Sequence, residues 1–211
     1  SILTKMAGAP VEIQGSGRTD AGVHALGQVA NFKTNSQIPI EKFAIAINSR
    51  LKKSIVIKKA EEVDERFHSR LNCKRKTYRY IINNSPEGTA IYRYLETHIP
   101  QKLNVEKMEK AVKYFIGEHD FKAFKASGTS SKSSVRIIYD AKAYQNGDKI
   151  YIELTGNGFL YNMVRIIAGT LVEVGLEKIE PEKIEEIIKE GKRENAGKTL
   201  PPNGLYLVDV K

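Results

Sequence analysis

Apolar and polar positions in the first third of the chain switch between helical and extended spacing. Residues 1–7 have the pattern of a helix that ends at Gly8, and Pro39 opens a second helix. The apolar stripe of this second helix recurs every three or four positions, at Ile40, Phe43, Ile47 and Leu51. Short extended segments are predicted at residues 11–14, 28–34 and 54–60.

The rest of the chain predicts the same mixture with longer elements. Lys76–Asn83 alternates as a strand, and Asn104 is placed to cap a helix that ends at Gly117. Two alternating runs flank Asn146-Gly147, which is a strong hairpin signal. Further elements are an apolar helix over 159–174, a helix opened by Pro181 and a strand over 205–210.

This order of elements favours the α+β class, because helices are mixed with mostly antiparallel strands rather than alternating with parallel ones. A chain of 211 residues suits one large domain or two small ones, and it can bury a core without disulfides. No low-complexity linker marks a domain boundary, but we expect a boundary near residues 66–76. We therefore predict two halves, residues 1–70 and 71–211.

Composition excludes several classes of protein. The chain is 41% hydrophobic and 28% charged, which is ordinary for a globular protein and excludes disorder. It has no run of about 18 apolar residues, so no membrane span is expected. Cys73 is the only cysteine, which fits a reducing cytoplasm, and the four histidines lack zinc-ligand spacing, so no metal is expected.

Net charge is the first functional indication. The chain has 34 Lys and Arg against 25 Asp and Glu, a formal charge of +9, which favours binding to a polyanion such as nucleic acid. Part of that charge is clustered with aromatic residues, at Lys74, Arg75, Lys76, Tyr78, Arg79 and Tyr80. Cations can neutralise phosphates and aromatic rings can stack on bases, although surface charge can also serve only solubility.

The most unusual stretch contains three glycines between Gly15 and Gly22. It matches neither a dinucleotide fingerprint nor a P-loop, because Asp20 replaces the third glycine and no Gly-Lys-Ser/Thr follows. What remains is a carboxylate framed by glycines, with Arg18 two positions earlier. Such a carboxylate can act as base, metal ligand or nucleophile, or it can only shape the loop as an Asx-turn.

The segment over residues 15–32 reads GSGRTDAGVHALGQVANF and closely resembles the signature of the tRNA pseudouridine synthase A family. Further blocks follow in the family's order, at residues 67–70, 76–80, 120–124, 128–136, 158–165 and 196–205. Members normally begin with a strand carrying Tyr-Asp-Gly and a Gly-Trp-Gln element. This sequence contains no Trp, so we expect that it lacks that N-terminal strand.

The resemblance implies a fold, an activity and a partner. The fold would be two ferredoxin-like α/β halves that form an extended, mostly antiparallel sheet with a central cleft, the first half carrying the Asp20 loop. The activity would be isomerisation of uridine to pseudouridine in the tRNA anticodon stem-loop, near positions 38 to 40, without a metal or organic cofactor. The family is cytoplasmic and forms homodimers that bind tRNA.

The resemblance also assigns roles to residues. Asp20 aligns with the catalytic carboxylate, Arg165 with the arginine that pairs with it, and Tyr78 with the tyrosine that contacts the target base. Attack of the carboxylate on C1′, attack on C6 and a glycal route all stay open. RNA contacts are expected from Arg18, Phe67, His68, Ser69, Arg70, Leu71, Thr129, Ser130, Ser131, Lys132 and Ser133.

Two hypotheses from other classes stay open at this point. A noncatalytic basic RNA-binding module would use the same charge without turnover. A phosphate- or nucleotide-binding protein would use the Gly15–Gly22 loop, and it would bind mononucleotides tightly and RNA weakly.

Overall fold

The computed structural model describes residues 2–128 and 133–211. In chain order the helices and strands are α1 (Ile2–Ala7), β1 (Gln14–Gly15), β2 (His24–Ala25), β3 (Ala30–Asn31), α2 (Ile40–Asn48), β4 (Lys76–Asn83), β5 (Thr97–His98), α3 (Val105–Val112), β6 (Gly117–Asp120), β7 (Val135–Asn146), β8 (Lys149–Gly156), α4 (Met163–Gly175), α5 (Lys183–Glu190) and β9 (Leu205–Val210). None of the described helices has the length and apolar character needed to span a bilayer.

The chain divides into two compact units. The smaller unit comprises the described residues up to Gly17 together with Val29–Asn72, and the larger unit comprises Arg18–Gln28 together with Cys73–Lys211. The division after Asn72 lies close to the predicted boundary. The Asp20 loop differs from the prediction, because it groups with the larger unit rather than with the N-terminal half.

The physical reason is a pair of strands that joins distant parts of the sequence. Strand β2 pairs with β9 in parallel, with His24 opposite Tyr206, and Leu26 N donates to the carbonyl of Leu207 at 2.8 Å. The strand over 205–210 was predicted, but β2 has only two residues, too few for an alternating pattern to predict this pairing. The backbone hydrogen bonds of β9 therefore hold the Asp20 loop in the larger unit.

The smaller unit packs α1 and α2 around a core of Leu3, Phe43 and Ile47. Both predicted helices are confirmed, whereas its strands are shorter than predicted, since only Gln14–Gly15 and Ala30–Asn31 pair. The segment predicted as a strand over 54–60 forms none. The Asn48 side chain explains part of this, because it accepts from Ile57 N at 2.7 Å and donates to Ile57 O at 2.8 Å.

The larger unit is built on a sheet of seven strands among the described residues. Its order is β2-β9-β4-β8-β7-β6, and β5 pairs with the far end of β4. All pairs are antiparallel except β2 with β9 and β5 with β4. The predicted α+β class is confirmed, and so is the predicted hairpin, whose two turn residues are Gly147 and Asp148.

Helices α3 and α4 pack with the sheet to form the main core. Strands β4 and β8 bury Tyr80, Ile82, Ile152 and Leu154 completely. Helix α3 begins as predicted, with Asn104 Oδ1 accepting from Lys107 N at 3.1 Å. Helix α4 begins at Met163, four residues later than predicted, because Asn162 takes a left-handed conformation with φ of 60°.

Helix α4 approaches the 196–200 segment closely at Gly169. A Cβ added at Gly169 would overlap the carbonyl oxygen of Lys198, and the hydroxyl of Thr170 accepts from Gly197 N at 2.9 Å. Both partners of this close approach are backbone, which cannot move aside as a flexible side chain can. The helix can therefore lie here only because Gly169 has no side chain.

Gly169→Ala is therefore expected to lower the free energy of unfolding by about 2–3 kcal/mol through overpacking. Thermal denaturation followed by circular dichroism measures the effect, which should be a fall in Tm of roughly 5–10 °C. Gly158→Ala is the control, since its Cβ would meet only the Arg136 side chain at 3.5 Å. Equal Tm values for the two variants would contradict the close approach.

Candidate active site

The loop that carries Asp20 is fixed by contacts within the larger unit. Val23 N donates to the Asp20 carbonyl at 3.1 Å, which closes a turn through Gly22 at φ of 84°. The His24 ring stacks on Tyr206 with centroids 4.8 Å apart, and His24 Nε2 donates to the carbonyl of Tyr94 at 2.8 Å. The carboxylate therefore extends from a tethered turn and not from a free loop.

Arg165, on the first turn of α4, is the cation that meets this carboxylate. Its Nη1 donates to Asp20 Oδ2 at 3.2 Å and to Asn162 Oδ1 at 2.7 Å, and its Nε donates to the carbonyl of Leu200 at 2.7 Å. The Arg165 side chain is 14% exposed and that of Asp20 is 35% exposed. The guanidinium is thus held by three acceptors, while the carboxylate stays accessible to a ligand.

Two groups that hold Arg165, the Asn162 side chain and the Leu200 carbonyl, were not predicted as site residues. Asn162 precedes α4 and makes no capping hydrogen bond, because its side-chain oxygen accepts from Arg165 instead. The spacing of three residues places Asn162 and Arg165 on one side of the first turn, a signal that the sequence did contain. A backbone carbonyl from a distant segment, by contrast, leaves no such signal.

The carbonyl of Leu200 is held in turn by its own surroundings. Leu200 N donates to the carbonyl of Arg165 at 3.3 Å, so that the two residues exchange hydrogen bonds. The next residue, Pro201, accepts from the buried Tyr80 hydroxyl at 2.7 Å. Helix α4 and the sheet, through Tyr80, therefore fix the position and direction of the Leu200 carbonyl, which accepts from Arg165 Nε.

Tyr78 lies on β4 and packs edge-to-face on Phe159, with ring centroids 5.0 Å apart. Burial above all, and then the negative charge of Asp20 and the Cys73 thiol, raises the pKa of Tyr78 to about 12. The phenol therefore stays protonated at physiological pH and is a hydrogen-bond donor. Tyr78 pairs with Leu207 of β9, and Leu207 pairs on its other edge with Ala25, five residues after Asp20.

The predicted RNA-contacting residues at 67–71 lie in the smaller unit. Ser69 is buried, with its hydroxyl donating to the carbonyl of Gln14 at 2.6 Å and its N donating to Asn31 Oδ1 at 2.9 Å. His68 Nδ1 accepts from the backbone N of Arg70 at 3.2 Å. Phe67 and His68 are half-buried, whereas Arg70 is exposed and Leu71 is 77% exposed. Ser69 thus stabilises a turn whose other side chains face solvent.

The remaining predicted RNA contacts divide into two groups. Arg18 is exposed, and Ser133 is exposed with its hydroxyl accepting from Val135 N at 3.2 Å. Thr129, Ser130, Ser131 and Lys132 lie outside the described residues. Within residues 2–128 and 133–211, no group of three His, Cys, Asp or Glu side chains is placed to hold a metal ion.

The arrangement brings together a tethered carboxylate, a fixed guanidinium and a neutral phenol beside an aromatic ring. The structure places Asp20, Arg165 and Tyr78 in the larger unit together, and Arg165 contacts Asp20 directly. A carboxylate with one oxygen paired and a third of its surface exposed can attack an electrophilic carbon or accept a proton. A flat ring nearby suits a planar base.

Comparison with known proteins agrees with this chemistry. A family model described as tRNA pseudouridine synthase matches residues 2–72 and 111–211. The chain is 51% identical over 205 residues to tRNA pseudouridine synthase A of Acetivibrio thermocellus, which covers 97% of this chain and 84% of that protein. It is 53% identical over 209 residues to the protein of the same name from Ruminiclostridium cellulolyticum, covering 99% and 85%.

A third relative shows the same extent of similarity. The tRNA pseudouridine synthase A of Clostridium botulinum is 49% identical over 210 residues, covering 100% of this chain and 86% of that protein. The family model leaves out residues 73–110, which carry β4 and Tyr78, while the relatives align over nearly the whole chain. The resemblance noted in the sequence is confirmed, and the chain belongs to the tRNA pseudouridine synthase family, a family of isomerases.

Proposed function

We propose that this protein isomerises uridine to pseudouridine in tRNA and that Asp20 is its nucleophile. The observation that carries the proposal is the contact of 3.2 Å between Arg165 Nη1 and Asp20 Oδ2, on a carboxylate that remains one-third exposed. Family membership and the names of the relatives support the same reaction.

The reaction needs few groups, because substrate and product are isomers. The N1–C1′ bond breaks, the uracil rotates, a C5–C1′ bond forms, and the proton on C5 is replaced by one on N1. A carboxylate can begin this by attacking C1′ or C6, or by helping to form a glycal. All three routes need a carboxylate next to the nucleotide. The proposal therefore identifies Asp20 as the reacting group, but it does not choose which bond forms or breaks first.

Arg165 and Tyr78 take supporting roles in this proposal. Arg165 orients the carboxylate, since its own guanidinium is fixed by Asn162 Oδ1 and the Leu200 carbonyl. Tyr78 stays a neutral donor with a pKa of about 12, so its hydroxyl can donate to a carbonyl of the uracil. Its ring offers a surface for the base.

The target uridine must leave the base stack of the RNA before Asp20 can reach it, because a stacked nucleotide hides C1′ and the ring face from a side chain. We propose that the substrate region is the anticodon stem-loop near positions 38 to 40. Contacts would come from Arg18, Phe67, His68, Arg70, Leu71 and the 129–133 segment. Ser69 would position the turn rather than contact RNA, because it is buried and bonded to Gln14 and Asn31.

We propose further that the protein acts in the cytoplasm and forms a homodimer. Light scattering of the purified chain tests the oligomeric state. Support for a partner surface comes from apolar side chains in the segment between β4 and β5 of the larger unit. Ile91 is 80% exposed and Tyr94 is 66% exposed, next to the exposed Leu95. Apolar side chains grouped in this way are typical of protein interaction surfaces.

The function is tested with unmodified tRNA transcripts that carry uridine at position 38, 39 or 40 alone. Pseudouridine is expected at those positions after incubation with the protein, and transcripts with cytidine there serve as the control. Sites are mapped by a pseudouridine-specific chemical adduct and primer extension. A protein that binds all transcripts and modifies none would instead be the noncatalytic RNA-binding module.

A further inference from the structure

The larger unit carries an open groove of about 650 Å³ away from the Asp20–Arg165 contact. One wall is formed by residues 122–127, which follow β6, and the other by residues 191–194, which follow α5. Its lining residues are Lys122, Lys125, Ala126, Ser127, Gly191, Lys192, Arg193 and Glu194. Four of these eight residues are cationic and one is anionic.

The lysines of the groove are not neutralised by neighbouring carboxylates. Among the described residues, no carboxylate oxygen lies within 4 Å of the ammonium nitrogen of Lys122, Lys125 or Lys192. The neighbouring helix α5 behaves differently, since its Lys183 pairs with Glu186 and its Lys189 with Glu185. Positive charge is thus balanced on the helix and concentrated in the groove.

The end of helix α5 does not account for this concentration. The helix stops at Gly191, and its last carbonyls carry a partial negative charge that attracts nearby lysines. That partial charge amounts to about half an elementary charge. Glu194 is the one carboxylate among the residues that line the groove, so the lining has a net formal charge of +3.

Arg193 supplies a fixed charge in the groove. Its guanidinium donates to the carbonyls of Ala196 and Gly197 at 3.2 and 3.0 Å and to Thr199 Oγ1 at 3.2 Å. All three acceptors are neutral, so the charge of Arg193 is held in place but not cancelled. The lysines, by contrast, have flexible stems that can follow a ligand.

Both walls of the groove are bonded to segments that build the active site. On one wall, Ala126 N donates to the carbonyl of Tyr161, the residue before Asn162, at 3.2 Å. On the other wall, Arg193 holds Thr199, the residue before Leu200, whose carbonyl accepts from Arg165. A polymer lying in the groove would therefore bind to the same rigid frame that positions Arg165.

We propose that this groove binds the phosphodiester backbone of the tRNA whose uridine reaches Asp20. This inference rests on the proposed function. Flexible ammonium groups around a fixed guanidinium suit a chain of phosphates, which is a flexible polyanion without a single required geometry. Contacts of this kind contribute affinity and not base specificity, so every tRNA substrate of the enzyme would use them.

The test replaces one exposed lysine on each wall, as Lys122→Gln with Lys192→Gln. The matched control is Lys102→Gln with Lys110→Gln, which removes the same charge at two exposed lysines that do not line the groove. Affinity for a tRNA transcript is measured by filter binding between 50 and 300 mM KCl, and steady-state kinetics give kcat and KM. Thermal denaturation verifies that each variant is folded.

The groove variant is expected to lower the slope of log Kd against log salt by about two, one for each lysine that no longer binds a phosphate. At about 150 mM salt its KM should rise roughly tenfold, and the effect should lie in KM because backbone contacts bind ground and transition states alike. Lys122→Arg with Lys192→Arg should restore the slope, since charge and not ammonium geometry is required.

The outcomes separate this inference from the proposed function. If the unaltered protein forms no pseudouridine, the function is wrong whatever the groove does. If it forms pseudouridine and the groove variant matches the control variant in slope and KM, the groove is not a tRNA site. Equal weakening of binding in both variants would mean that overall charge alone attracts the RNA, which also overturns the inference.

Discussion

Asp20→Ala is expected to abolish pseudouridine formation, with a fall in rate of at least about 10⁴-fold. The substitution removes the group proposed to form the covalent or ionic intermediate, and a loss of this size corresponds to about 5 kcal/mol in the activation barrier. Single-turnover assays on a transcript with uridine at position 39 measure it. The turn itself should survive, because Val23 N donates to the Asp20 backbone carbonyl and not to its side chain.

Two further variants make this result specific. Asp20→Asn keeps an oxygen that can accept from Arg165 but is a poor nucleophile, so it should lose nearly as much activity as Asp20→Ala. Asp148→Ala, in the turn between β7 and β8, removes a carboxylate away from the site and should keep the rate of the unaltered protein. If Asp20→Ala stayed within tenfold of the unaltered rate, Asp20 would not be the nucleophile.

Replacement of Arg165 is expected to have the second-largest effect. Arg165→Met should lower the rate by about 10²–10³-fold, because Asp20 loses the donor that fixes its orientation and a charge partner in a half-buried site. Arg165→Lys should lower it by about 10–100-fold, since one ammonium group cannot reach Asp20, Asn162 and the Leu200 carbonyl together. Both effects should appear mainly in kcat.

The matched control for Arg165 is another arginine that pairs with a carboxylate in the same unit. Arg79 Nε lies 2.8 Å from Glu153 Oε1 on the sheet, so Arg79→Met removes a comparable ion pair away from Asp20. We expect it to leave kcat within about threefold of the unaltered protein. An Arg165→Met enzyme as active as this control would show that the contact with Asp20 does not orient the carboxylate for reaction.

The elements that could be predicted from sequence are those whose signal is local. Lys76–Asn83 alternates over eight residues, and two alternating runs flank Asn146-Gly147, so the sequence predicts β4 and the hairpin of β7 and β8. The two-residue turn itself is Gly147-Asp148, one residue later than that dipeptide. The start of α4 was misplaced for a local reason too. The apolar run before Met163 continues the helical pattern, and only the left-handed conformation of Asn162 interrupts it.

Features that depend on distant parts of the chain could not be predicted in this way. Strands β2 and β5 have two residues each and exist only because β9 and β4 supply their hydrogen bonds. Likewise, the backbone carbonyl of Leu200 supports Arg165 only because Gly169 lets the 196–200 segment approach α4. Asp20, Arg165 and Tyr78 were identified by resemblance, since their spacing in sequence gives no sign that they meet.

The parallel pairing of β2 with β9 has a consequence for protein synthesis. Asp20 is synthesised before the strand that anchors its loop, which follows about 180 residues later in the sequence. A nascent chain therefore cannot pair the Asp20 loop with β9 until Leu205–Val210 has emerged. A chain in which this strand is missing or unfolded is therefore expected to lack the backbone hydrogen bonds that hold the Asp20 loop.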